Sequence, residues 1–346
     1  MTAETKVDEW LRGAGPDEDV VLCTRVRLAR NIEGYSFSAR QDNEEARTLT
    51  TEVERSLRQL ARKLEWTWVS LDEEAALERQ VLVERHLISR ELGDGERARG
   101  ALFDANGRAS LMVNEEDHLR LQIFRSGFRM QEAWEAADEI DDQIAAILPY
   151  AYSTKFGFLT SCPTNTGTGM RISLLLHLPA LVAAKEIEKA TNAIQEMNMT
   201  ARGLYGEGSQ AVGDLFQISN QRTLGASEEE ILRSLESAVQ TLLRYERNQR
   251  EGFLRNEIFV ADRAARALGV LERAKTLTSE ETLNLLSRLR LGRVLGVTDE
   301  PSMDELNLVF LLSQPGHLQK HVGQELDPAQ RDVLRADLVR KILHSG

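Results

Sequence analysis

Three short segments of the 346-residue chain carry residue types that could handle a phosphorylated ligand. The first is Cys23-Thr24-Arg25-Val26-Arg27-Leu28-Ala29-Arg30-Asn31, which reads as a strand with Arg25 and Arg27 on one face. Two guanidinium groups side by side repel, and an anion such as a triphosphate relieves that cost. A solvated strand face held by salt bridges would use the same residues. The second, Asn114-Glu115-Glu116-Asp117-His118-Leu119-Arg120, sets three consecutive acids before a strand. One carboxylate facing a cleft could take a proton or hold a cation, with Arg120 beside it for phosphate. A polar turn is the plainer use of such a run. The third is Ser161-Cys162-Pro163-Thr164-Asn165-Thr166-Gly167-Thr168-Gly169-Met170-Arg171. Its glycines let backbone approach a ligand closely, and Cys162 could carry a tuned thiolate. A lone cysteine at a strand end is otherwise inert packing.

The elements that must position these segments are legible in the hydrophobic pattern. Residues 42–64 have helical spacing, with Leu49, Val53, Leu57, Leu60 and Leu64 on one face. Strands are expected at Val20–Cys23, Trp66–Val69, Val81–Val83, Ser110–Val113, Leu119–Phe124, Phe156–Thr160, Arg171–Leu178 and Asp214–Ser219. Residues 130–148 read as a helix that stops at Pro149, and another helix follows Pro179. The mixture is α+β: a sheet flanked by helices. From about residue 226 the pattern is helical, with Ser227 before Glu230 and Ser279 before Thr282 as N-terminal caps and Asp299-Glu300-Pro301 as a further helix start. We divide the chain into an α+β domain, 1–254, and a helical C-terminal domain, 255–346. Leu283, Leu286, Leu289, Leu306, Val309 and Phe310 could either line a dimer seam or fill that domain's own core.

Composition narrows the classes. Apolar residues at 42% and charged residues at 28% describe a globular chain, and the net charge of −12 argues against a nucleic-acid coat or a membrane-surface protein. Two cysteines exclude a disulfide framework, and no stretch approaches the roughly 18 apolar residues of a membrane span, so a cytoplasmic setting is expected. Only eight of the 43 basic residues are lysine. Codon bias accounts for most of that; guanidinium forks gripping phosphate account for a few. There is no G-x-x-x-x-G-K-[ST], H-R-D, D-F-G, G-x-S-x-G, H-E-x-x-H or C-x-x-C segment, and the six histidines are too scattered for a metal cage.

Taken together and in order, the three segments resemble the signature stretches of the phosphagen (ATP:guanido) kinases. Two further stretches extend the resemblance: Arg202-Gly203-Leu204-Tyr205-Gly206-Glu207 and Gly213-Asp214-Leu215-Phe216-Gln217-Ile218-Ser219-Asn220. The likeness spans about residues 20–250. Within that family the chain is similar to the bacterial protein-arginine kinases. Only some twenty residues precede Arg25, where the creatine and arginine kinases carry an enclosing helical domain. Arg331-Asp332-Val333-Leu334-Arg335-Ala336 also fits the R-D-x-x-R-A motif that binds phosphoarginine allosterically in those kinases.

The resemblance implies the following roles. Arg25, Arg27, Arg120, Arg171 and Arg202 would grip the phosphates. Thr24 to Leu28 (with Val26), Arg171 to Leu175 (Ile172, Ser173, Leu174) and Arg202 to Glu207 (Gly203, Leu204, Tyr205, Gly206) would line the ATP site, with His86 near the adenine. Glu116 and Glu207 would orient the acceptor guanidinium and take its proton, and Cys162 would face it as a thiolate. Mg²⁺ would bridge the phosphates with no dedicated protein ligand. The family's histidine four residues after Arg171 is unmatched, since Leu175 stands there and His177 lies two further on. Arg331, Asp332, Arg335 and Ala336 would form the phosphoarginine site, and the helical domain would make a homodimer. Implied partners are protein substrates with exposed arginines, a heat-shock repressor, a Clp ATPase and protease, and a zinc-binding activator, in a stress response that marks proteins for degradation. A kinase for free arginine and a phosphoarginine-reading adaptor are the alternatives.

Overall fold

In the computed structural model, residues 7–203 and 211–344 are described here. The chain runs β1 (Val21–Arg30), α1 (Asn43–Lys63), β2 (Trp66–Ser70), α2 (Ala76–Glu84), α3 (Arg90–Asp94), β3 (Gly100–Asp104), β4 (Ala109–Val113), β5 (Leu119–Ser126) and α4 (Met130–Ala145). It continues with β6 (Tyr152–Ser153), β7 (Gly157–Phe158), β8 (Met170–His177), α5 (Pro179–Ala183), α6 (Ile187–Glu196), β9 (Met199–Gly203), β10 (Leu215–Asn220) and the long α7 (Glu228–Leu254). The remainder is helical: α8 (Glu257–Arg273), α9 (Ser279–Val294), α10 (Met303–Leu312), α11 (Pro315–Val322) and α12 (Pro328–Leu343).

Eight strands form one antiparallel sheet in the order β2-β3-β4-β5-β1-β8-β10-β9. Strand alternation gives β1, β5, β8 and β10 two unlike faces. Val26, Leu28, Leu121, Ile123, Ile172, Leu174 and Ile218 point one way, into a core closed by α1, α4 and α7. The other face is polar along much of its length. Its far end carries Cys23, Phe124 and Leu175, which are covered by Trp10, Leu11 and Leu311.

Several sequence expectations shift. Val81–Val83 is helix within α2: three apolar residues cannot distinguish the two periods, and strong helix formers flank them. The strand expected at Phe156–Thr160 is reduced to Gly157–Phe158, paired with Tyr152–Ser153. Ser227 forms a capping box with Glu230, whereas α9 is capped by Thr278, one residue before the expected Ser279. The helix expected from Asp299 starts at Met303 behind Ser302, boxed with Glu305.

Helices α8 to α12 share their own core, and Leu283, Leu286, Leu289, Leu306 and Val309 are buried in it with Phe310 packed alongside. These residues fill the protomer and leave none of the five free for a seam. This helical unit is clasped to the sheet's edge by Glu84 at the end of α2. Its carboxylate accepts from the Gly316 and His317 backbone N–H groups at 2.6 and 2.9 Å, capping α11 from outside. Among the described residues no helix is long and apolar enough to cross a membrane.

Candidate active site

The register of the central strands brings the separated arginines into one row. Arg27 lies directly opposite Arg171 on β8 and opposite Gln122 on β5, two residues from Arg120. Arg25 faces Ser173, Leu175 faces Gln217 on β10, and Gln217 faces Arg202 on β9. Because residues directly opposite project to the same side, Arg25, Arg27, Arg120, Arg171 and Arg202 all stand on the polar face.

Neutral groups meet two of these arginines. Arg25 donates to Ser173 Oγ at 3.3 Å and to Gln217 Oε1 at 3.0 Å, and its guanidinium sits 5.7 Å from the Phe124 ring centre. Arg171 donates to Ser219 Oγ at 3.3 and 3.0 Å. The buried Nε of Arg27 has no partner. Among the described residues neither Arg25 nor Arg27 is within ion-pair range of a carboxylate. Desolvation, then the charges of Arg171 and Arg120, push the Arg25 pKa down to about 10 even though Cys23 opposes the shift. Burial, followed by Arg25, Arg120 and Arg171, also drives the Arg27 pKa down, with Glu115 opposing. Both stay protonated at neutral pH; the shifts record how unfavourable it is to bury neighbouring cations together.

Arg120 has carboxylate partners and marks the rim. It pairs with Glu115 and, at 2.7 Å, with Glu116. Glu115 is buried, while the Glu116 side chain is 46% exposed, so this carboxylate can meet a cation arriving from solvent. Across the rim, Cys162 Sγ lies 2.9 Å from Thr164 Oγ1. Thr223 holds its loop by donating to the carbonyls of Thr164 and Thr166, both at 2.8 Å. Gly167, at φ +114°, is required there: a Cβ would fall 2.4 Å from the Thr223 carbonyl oxygen. The arrangement offers a cationic floor for an anion, with an exposed carboxylate and a thiol at its edge.

His86 closes the apolar end of the row. Its ring meets Trp10 edge-on at 4.4 Å, and a small cleft there is lined by Trp10, Cys23, Arg25, His86, Phe124 and Gln217. Burial, with Arg25 and Arg90 adding to it, pushes the His86 pKa down to about 3, so the ring is neutral. Such a cleft suits an aromatic base better than a charge.

Other expected site residues fall elsewhere. Val26, Leu28, Ile172 and Leu174 face the opposite, apolar core, and Thr24 is buried with its hydroxyl on the Gly127 carbonyl. Strand alternation therefore leaves only their backbone available to a ligand on the polar face. Ser173 is on that face, Leu175 lies under Trp10, and Gly203 ends β9. Leu204, Tyr205, Gly206 and Glu207 lie outside the described residues. His177 is buried 2.9 Å from Ser287 Oγ, away from the row. In the helical unit, Arg335 is 1% exposed, pairs with Asp332 and donates to the Ser313 and Leu277 carbonyls; Ala336 is also buried. These two residues hold α12 in place, while Arg331 and Asp332 keep partial exposure. Gln217 and Ser219 were not singled out from the sequence, although their i, i+2 spacing before Asn220 was the available signal.

Residues 48–249 match the family described as ATP:guanido phosphotransferase, C-terminal catalytic domain, and residues 257–346 match the protein-arginine kinase McsB C-terminal domain. The chain is 42% identical over 341 residues to the protein-arginine kinase of Bacillus subtilis strain 168, covering 98% of this chain and 94% of that one. It is 41% identical over 339 residues to the protein-arginine kinase of Halothermothrix orenii, covering 98% and 97%. Among solved structures, the duplicated taurocyamine kinase of Schistosoma mansoni with bound transition state analog components superposes with a TM-score of 0.62 at 26% identity, over 71% of this chain and 35% of that one. Lombricine kinase superposes at 0.61 and 24% identity, over 72% and 74%, and shows the shared fold.

Proposed function

Because the chain belongs to the ATP:guanido phosphotransferase family, we propose that it transfers the γ-phosphoryl group of ATP to arginine side chains of proteins. The reading rests above all on one observation: Arg25 and Arg27 stand in a row of arginines without a carboxylate of their own, beside the exposed Glu116. A triphosphate lying on that row supplies the missing negative charge, and five guanidinium forks can hold its oxygens while charge spreads over the transferring group. Mg²⁺ suits this site as an ion held by the phosphates and water, since Glu115 and Glu116 are already paired with Arg120.

The acceptor requires more than positioning. A guanidinium nitrogen has no free lone pair at neutral pH, so it must lose a proton as its bond to phosphorus forms and the bond to the ADP oxygen breaks. Glu116 can hydrogen-bond the fork and receive that proton, with Glu207 as the second carboxylate. Cys162, as a thiolate, would hold the cation from the other side. Glu116 at 46% exposure can receive an arginine that projects from a folded or unfolded protein surface, which favours protein substrates over free arginine.

The wider role we propose goes beyond the names of those relatives and rests on the resemblance of the sequence to the bacterial protein-arginine kinases: phosphorylation of a heat-shock repressor and delivery of marked proteins to a Clp ATPase and protease, in the cytoplasm, under a zinc-binding activator. Residues 255–346 would then serve as the homodimerising and phosphoarginine-sensing domain, with Arg331 and Asp332 facing the ligand. The test is mass spectrometry at neutral pH after incubation with Mg·ATP, an arginine-rich protein and free arginine together, with Glu116→Gln as the blank. Phosphate on protein arginines, removed by mild acid and absent with the variant, is the expected result. Phosphate on free arginine alone would overturn the reading.

A further inference from the structure

The strand that carries Arg25 and Arg27 is followed directly by Asn31, which is 1% exposed and meets both rim loops at once. Its Nδ2 donates to Asp117 Oδ1 at 2.8 Å and to the Leu159 carbonyl at 3.0 Å. Its Oδ1 accepts the His118 backbone N–H at 2.9 Å, and its own carbonyl accepts the Ala151 N–H at 2.7 Å. Asp117, fully buried next to Glu116, uses the same Oδ1 to accept the Ser161 N–H at 2.7 Å, one residue before Cys162. His118, also buried, takes the Ile32 N–H on Nδ1 and so carries its proton on Nε2, which donates to the Ser36 carbonyl. Every one of these bonds joins segments far apart in sequence.

We propose that Asn31 is a positioning residue for phosphoryl transfer: through Asp117 it fixes the carboxylate of Glu116 and the thiol of Cys162 relative to each other and to the arginine row. The proposal rests on the kinase reading of that row. The physical case is geometric. Glu116 and Cys162 sit on loops whose own hydrogen bonds do not relate them to each other, so their separation depends on what ties Asp117 to Ser161. A buried amide donor and a buried carboxylate acceptor satisfy one another only in one arrangement, which makes the tie specific as well as strong. Misplacing a reacting group by about 1 Å costs on the order of 10²-fold in rate. Arg25 and Arg171 are held separately, by Ser173, Gln217 and Ser219, and only Arg120, 4.0 Å from Asp117, touches the tie, so ATP binding should change little.

The experiment compares the full chain with Asn31→Asp, Asp117→Asn and the double exchange Asn31→Asp/Asp117→Asn, measuring kcat and KM for ATP and for a protein substrate. Asn31→Asp sets two carboxylates against each other and removes the donor, so kcat should fall about 10²-fold with KM for ATP within about twofold. Asp117→Asn keeps an acceptor oxygen for Ser161 and should lose less. The double exchange restores one donor against one acceptor and should recover most of the loss in kcat per folded molecule, with KM for ATP still little changed, a split that a purely structural role does not predict. Asn31→Ser, which removes the donor without adding charge, carries the test if Asn31→Asp does not fold. An unchanged kcat, a rise in KM for ATP in step with the loss, or no recovery in the double exchange overturns the proposal. A wild-type chain that transfers no phosphate to arginine overturns the kinase reading, and this proposal with it.

Discussion

Arginines are packed inside this molecule in two regions, in opposite company. Where α7 meets the N-terminal segment, Arg250 is 3% exposed and pairs with the buried Glu246 at 2.7 Å, while also donating to the Asp19 and His177 carbonyls. Beside it Arg247 bridges Asp17 and Asp19 at 2.7 and 2.6 Å. Glu246 in turn accepts the Ala180 and Leu181 N–H groups at the start of α5, so each charge has an internal answer. At the centre of the sheet Arg25 leans on a serine, a glutamine and a phenyl ring, and Arg27 keeps an unpartnered buried Nε. The first region spends arginine on building the fold. The second leaves positive charge uncompensated, which costs stability unless a ligand arrives and is therefore the signature of a site.

Substitutions in the two regions should separate stability from activity. Arg250→Met leaves Glu246 charged and buried, and breaking such a pair costs about 3–5 kcal/mol. A large drop in urea midpoint is expected with kcat per folded molecule unchanged; an unchanged midpoint would erase the contrast. Arg27→Met should do the reverse, lowering phosphoryl transfer by about 10²–10³-fold, the loss typical of one charge-stabilising donor. Its melting temperature without nucleotide should hold or rise, because an unpaired cation is gone. A clear loss of stability would mean that Arg27 belongs with Arg250.

A smaller effect extends the comparison to histidine. Burial lowers the pKa values of His86, His118 and His177, His86 to about 3 with help from Arg25 and Arg90. The folded protein then refuses protons that the unfolded chain accepts below about pH 6.5. Stability from these depressed groups is fully present above that pH and is lost as pH falls, for His86 down to about 3. Each such proton is worth about 1.4 kcal/mol per pH unit. Urea midpoints at pH 7.5 and 5.5 should show the decline, and His118→Asn should reduce its slope. A flat profile would show that these rings protonate in place.

Much of the fold could be read from periodicity. The helix at 43–63, the strands around Arg25, Leu119 and Arg171, and the all-helical end follow from where apolar residues recur. The errors have one physical origin: where a run is short, as at Val81–Val83, neighbours and packing decide its period. The candidate leucine seam has the same lesson, because a stripe of apolar residues does not say which surface covers it. Of the residues expected to line an ATP site, strand alternation alone sorts Arg25, Arg27, Arg171 and Ser173 from Val26, Leu28, Ile172 and Leu174.

What the sequence determined by itself was the inventory: which strands carry arginines, that Glu116 and Cys162 are available, and that their segments match those of one kinase family. These are local facts, set by residue type and spacing along a few consecutive positions. Only the tertiary structure decided which arginines are neutralised. Arg335 and Arg27 look alike in a string of letters, yet one is pinned to two carbonyls and Asp332 and the other faces three more cations. The Asn31–Asp117–Ser161 tie is likewise invisible in sequence, since its members are 86 and 44 residues apart. Charge compensation and hydrogen-bond closure depend on distances between segments that the chain brings together only when it folds.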